Sequence, residues 1–122
     1  MALPNADDSI LLLHNPKCSK SRETLALLED RGVAFETRLY LESPLDDAEL
    51  LDLGTRLGKD ILAFTRTKQA EFGKAGLTKD SDSGAVRAAM TSTPILMERP
   101  ILIRGARAAI GRPPEDVLAI LD

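Results

Sequence analysis

The chain is poor in reactive and aromatic side chains. Among 122 residues there is one cysteine, Cys18, one histidine, His14, and no tryptophan, and aromatics make up only 3%. A single cysteine excludes an intrachain disulfide, and with it the stapled framework of a small secreted domain. One Cys and one His fall short of a four-ligand centre, so no metal site is expected. A lone histidine also gives no local support to a Ser-His-Asp triad. With so few rings, aliphatic side chains must fill the core. Long apolar runs are missing too: "ILLL" at 10–13 is far too short to span a bilayer. The start, "MALPNADD", turns acidic with no basic region before that run, so no signal peptide is expected and the chain reads as cytoplasmic, without a membrane partner. Excess positive charge is absent as well. A net charge of -3 argues against a general nucleic-acid binder, which needs a basic surface to displace counterions.

What is present is an ordinary globular composition. The hydrophobic fraction of 43% against 29% charged is enough to bury a real core. The length fits one domain over 1–122. After a polar start, "SILLLHN" is apolar on both faces and ends at the turn signal Asn15-Pro16, as in a buried parallel strand. Residues 19–31 suit a helix with Leu25 and Leu28 on its apolar side, closed by a left-handed Gly32. "VAFETRLYL" then alternates as a strand does, setting Val33, Phe35, Thr37 and Leu39 opposite Glu36 and Arg38. Strand, helix, strand over this length is a βαβ unit with parallel strands.

The middle of the chain reads as helical. Asp46 with Glu49 forms a capping-box pattern ahead of Leu50, Leu53 and Leu57, and Gly58 is the expected stop. Shorter helical turns are expected near 61–64, 69–73 and 84–90. The last third changes period. Short strands at 101–103 and 106–110 flank a tight turn at Gly105, and a closing helix follows Pro114 with Val117, Leu118, Ile120 and Leu121 on its apolar face. The order is βαβ, a helical insertion, then ββα. That order matches an α/β protein with a thioredoxin-like mixed sheet.

The only cysteine and histidine both lie in "HNPKCSKSRETL", four residues apart and among Lys17, Lys20 and Arg22. Cys18 follows a strand-to-helix turn, where unpaired N–H groups and the helix dipole favour negative charge. Nearby cations, with His14 among them, add to that field. These effects lower a thiol pKa, and the thiolate is the nucleophile. The same N–H groups suit an oxyanion. The alternative is an inert core cysteine, against which the polar, cationic neighbours speak. His14 either tunes Cys18 or simply ends its strand. A phosphatase-type C-x5-R loop fails, because Thr24 stands where the arginine belongs. A C-x-x-C dithiol loop fails as well, because "CSKS" puts Ser21 in the second place. Ser21 can hydrogen-bond a thiolate or an oxyanion, or serve as a first-turn hydroxyl, but it cannot close a disulfide. Any redox cycle at Cys18 therefore takes its reducing sulfur from outside, from a small thiol or a separate redox protein.

Four segments, "HNPKCSKSRETL", "LYLESP", "TRTK" and "ERPILI…IGRPPEDVLAIL", resemble the glutaredoxin-linked arsenate reductase family, and within it the short subgroup. The likeness runs in order over about 10–121. It implies a thioredoxin-like fold with a helical insertion, in which Cys18 attacks arsenic, His14 favours the thiolate and Ser21 lies near it. It further implies an anion-binding set of Arg66, Arg99 and Arg112, and a cis-proline junction at Arg99-Pro100 facing the cysteine loop. Paired guanidinium donors suit a tetrahedral, doubly charged oxyanion better than lysine does. The substrate implied is arsenate, reduced from As(V) to As(III). Glutathione is the external thiol, glutaredoxin the protein partner, and no bound cofactor is needed. Two other functions share the features of the chain. One is an Spx-like redox regulator binding RNA polymerase, which typically carries C-x-x-C at this loop. The other is a glutathione-dependent thiol transferase.

Overall fold

The structure is a computed structural model and describes residues 3–121. The chain divides into two compact units, Met1–Ser43 with Arg99–Asp122, and Pro44–Glu98. The first unit holds β1 (Ile10–His14), α1 (Ser19–Asp30), β2 (Glu36–Leu39), β3 (Ile101–Arg104) and β4 (Arg107–Ile110). A 3-10 helix, Pro114–Ile120, closes it. The strands form one sheet in the order β2-β1-β3-β4. β1 runs parallel to β2 and antiparallel to β3, and β3 and β4 form a hairpin. A βαβ unit and a β hairpin sharing one mixed sheet is the thioredoxin-like arrangement.

Burial explains the order. β1 and β3 are central, and Leu12, Leu13, Ile101, Leu102 and Ile103 are all fully buried, as strands apolar on both faces require. The edge strands carry Glu36, Arg38 and Arg107, charges that blunt an open edge. Leu12 and Leu102 stand opposite each other in the register and pack with Leu28, Val117 and Ile120. α1 ends as its glycine foretells. Gly32 has φ 68, and the N–H groups of Gly32 and Val33 close on the carbonyls of Glu29 and Leu28 in a Schellman motif.

Two details differ from the sequence pattern. Ladder pairing in β2 begins only at Glu36, while Val33 and Phe35 still pack against the core, so their alternation reflects burial before pairing. The closing segment is a 3-10 helix where a general helix was expected. Its last carbonyls are not left bare. Arg107 Nη2 donates to Ile120 O at 3.1 Å, and Arg104 Nη1 donates to the carbonyls of Ile120 and Leu121. Both arginines read as solvated surface charges in the sequence, yet they hold the end of the closing helix to the hairpin.

The second unit is the expected helical insertion. It contains α2 (Asp47–Leu57), a 3-10 turn at Ile61–Phe64, α3 (Ala70–Lys74), α4 (Ser83–Ser92) and a 3-10 turn at Pro94–Leu96. The capping box is formed in both directions. Asp46 Oδ1 accepts from Glu49 N–H at 2.8 Å, and Glu49 Oε1 accepts from Asp46 N–H at 3.1 Å. Leu50, Leu53, Phe64, Val86, Met90 and Leu96 are buried here. Among the described residues no helix is long and apolar enough to cross a membrane.

Candidate active site

The site is assembled where β1 gives way to α1. His14, the last residue of β1, and Asn15 are both buried. The chain then turns on Asn15: its carbonyl accepts from Cys18 N–H at 3.0 Å, and its Oδ1 accepts from Lys17 N–H at 3.0 Å. That turn delivers Cys18 to the N-cap of α1 in extended conformation, φ -96 and ψ 126. The sulfur is half-buried and free.

Opposing effects act on this thiol. Burial pushes its pKa up. The Ser21 N–H, the Arg99 charge, the Lys20 N–H and the Arg99 guanidinium donors act the other way and prevail, so the thiol lies below its ordinary value. The protonated thiol makes no regular capping hydrogen bond. The first-turn N–H groups of Lys20 and Ser21 favour the sulfur as negative charge develops on it.

Ser21 is fully buried, and its hydroxyl is engaged with other groups. Its Oγ lies 2.7 Å from His14 Nδ1 and accepts from Asn15 N–H at 2.9 Å. His14 itself is held below its usual pKa by burial and then by the Arg22 charge. A histidine in that state is neutral near pH 7, which corrects the expectation that it adds positive potential beside Cys18.

The nearby cations are also placed differently from their spacing in sequence. Lys20 pairs with Glu23 at 3.3 Å, and Arg22 Nη1 donates to Pro16 O at 2.9 Å. The cation that acts on the sulfur is Arg99, from the far end of the chain. Arg99 precedes Pro100 across a cis peptide bond, and Arg112-Pro113 is cis as well. Arg112 is exposed and donates to Arg99 O at 3.3 Å. Cys18, His14, Ser21, Arg99 and Arg112 are thus linked through one set of contacts in the first unit. Arg66 belongs to the second unit, where its N–H donates to Leu96 O at 2.7 Å and its Nη1 to Ile95 O at 3.3 Å. Sequence reasoning passed over Asn15 as a mere turn marker. Its amide oxygen in fact organises the loop, and an Asn before a proline was the available signal.

A thiol drawn toward its anion at the helix start of a thioredoxin-like sheet, with no second cysteine to resolve it, defines a single-thiol protein of the thioredoxin-like class. More narrowly, the chain belongs to the ArsC family, whose model matches residues 13–120. It is 41% identical to an arsenate reductase of Neisseria meningitidis, covering 92% of this chain and 97% of that one. It is 46% identical to the uncharacterised protein YfgD of Escherichia coli, over 92% and 96% of the two chains. The solved arsenate reductase of Vibrio cholerae superposes with a TM-score of 0.88 at 44% identity, covering 92% of this chain and 97% of its own.

Proposed function

We propose that the chain reduces arsenate to arsenite through a Cys18 thiolate adduct, with glutathione and glutaredoxin supplying the electrons. The observation that carries this reading is the Cys18 thiol, drawn toward its anion by two helix-start N–H groups and the Arg99 guanidinium. The arsenate reductases of Neisseria meningitidis and Vibrio cholerae support it.

The thiolate attacks arsenic, a sulfur–arsenic bond forms, and one arsenate oxygen leaves as water after protonation. Guanidinium groups offset the repulsion between thiolate and anion and stabilise charge on the remaining oxygens. Arg99 serves in this way, with Arg112 beside it on the Arg99 carbonyl. Glutathione then displaces a second oxygen as water and brings a second sulfur to arsenic. A glutaredoxin thiolate attacks the glutathione sulfur. The electron pair of that sulfur–arsenic bond stays on arsenic, which becomes As(III), and the mixed disulfide leaves with glutaredoxin. Hydrolysis releases arsenite and restores Cys18. The external sulfur is required because Ser21 occupies the place of a second cysteine. Such a cycle belongs in a compartment with a reduced thiol pool, the cytoplasm.

The test follows NADPH oxidation with arsenate, glutathione, glutaredoxin and glutathione reductase. We expect arsenate-dependent turnover that disappears in Cys18→Ser. No turnover in the wild type at millimolar arsenate would sink the proposal. Disulfide reduction without arsenate would point to a thiol transferase, and capture of purified RNA polymerase to a regulator.

A further inference from the structure

The peptide between Pro16 and Lys17 is gripped at both ends. Its carbonyl accepts from Arg22 Nη1 at 2.9 Å, and its N–H donates to Asn15 Oδ1 at 3.0 Å. Neither contact belongs to regular secondary structure. Arg22 also reaches the loop by its backbone, donating its own N–H to Cys18 O at 3.0 Å. The next N–H along, that of Cys18, is taken by Asn15 O. The N–H groups of Lys17 and Cys18 are therefore both turned back onto Asn15. Those of Lys20 and Ser21, one turn further, are the ones left to favour the sulfur anion.

We propose that Asn15 and Arg22 are positioning residues: together they fix the Pro16–Lys17 peptide and so decide which backbone N–H groups face Cys18. Cys18 is the extended N-cap of α1, so the loop that precedes it sets how its sulfur meets the unpaired N–H groups of the first turn. Were that peptide to flip, through ψ of Pro16 and φ of Lys17, the Lys17 N–H would leave Asn15 Oδ1, the Pro16 carbonyl would leave Arg22, and the loop would deliver Cys18 to the helix start along a different path. Arg22 holds the carbonyl with a charge-assisted donor, and Asn15 holds the N–H with a neutral acceptor. Both act on the sulfur only through the loop. This inference rests on Cys18 being the working nucleophile, but it concerns how the thiolate is made, which can be read without arsenate.

The experiment is the pH profile of Cys18 alkylation by iodoacetamide, followed by intact mass, since only the thiolate reacts. The full chain is used, and far-UV circular dichroism checks the fold of each variant. Arg22→Met and Asn15→Leu should each move the midpoint upward and slow alkylation about threefold to tenfold near neutral pH. Arg22→Lys should recover part of the loss, and Asn15→Ser, whose hydroxyl forms a weaker version of the same turn, should do likewise. It also replaces Asn15→Leu should that variant fail to fold. The double variant should lose less than the product of the two single losses, because both side chains hold one peptide. A shift in Arg22→Met with an unmoved profile in both Asn15 variants would mean that charge alone acts, and would overturn the proposal. Unmoved profiles throughout would overturn it too. Failure of arsenate turnover in the wild type would leave these profiles intact, so the two proposals fail separately.

Discussion

His14 shows how burial changes what a side chain is for. In the unfolded chain it takes its proton near the ordinary histidine value of 6.5, whereas in the folded chain burial and the Arg22 charge hold that step lower. Between the two values the unfolded state binds the extra proton, so stability rises with pH through this window and falls on acidification. The melting temperature of the wild type should therefore drop more than that of His14→Gln from roughly pH 8 to roughly pH 5. Parallel curves would refute the assignment. Arg99 presents the opposite case, a fixed charge that favours a neighbouring anion. Arg99→Met should raise the Cys18 alkylation midpoint, with Arg99→Lys in between, because lysine keeps the charge but loses the planar fork. A midpoint unmoved in Arg99→Met would remove this arginine from the thiol's electrostatics.

The elements owe their ends to short-range chemistry. α1 stops at a glycine that adopts φ 68, and α2 starts at a capping box whose two hydrogen bonds both form. Asp46→Ala removes the acceptor for Glu49 N–H and should cost about 1 kcal/mol. A urea titration would show this as a lower midpoint with unchanged slope, and an unmoved midpoint would mean that the box is idle. Such ends were legible because a cap and its partner lie within one turn. The start of β2 was not, since a strand begins where its neighbour begins and β1 lies elsewhere in the sequence. The closing helix was legible, but its tighter 3-10 form was not, for a related reason. The arginines that hold its final carbonyls belong to the β3–β4 hairpin, and only the folded sheet brings them there.

At the scale of the whole molecule, the first unit is built from both ends of the chain. Gly111 lies at their junction. A Cβ added there would stand 2.9 Å from Pro100 Cγ, 2.9 Å from Thr24 Oγ1 and 3.3 Å from Val117 Cγ1. Its N–H also donates to Pro100 O at 2.9 Å. Gly111→Ala must push apart the cis-proline strand, α1 and the closing 3-10 helix. It should destabilise by about 1–3 kcal/mol, measured by the same urea titration. Wild-type stability in this variant would mean that the junction yields more easily than its contacts imply.

By itself the sequence determined which sulfur the chain has to offer and what that sulfur lacks. With one cysteine after a strand-ending Asn-Pro and serine in place of a partner, any redox cycle at Cys18 takes its second sulfur from outside, a conclusion that needs only a count and a spacing. It also determined the alternation of β and α elements, since burial on one or two faces is written as a period. Which cation acts on Cys18 was decided by tertiary structure. Lys17, Lys20 and Arg22 are nearest along the chain, but their side chains point to solvent, to Glu23 or to a loop carbonyl, while Arg99 arrives through the pairing of β3 with β1. Electrostatic influence falls with distance through space, and the sheet, rather than the order of residues, sets that distance.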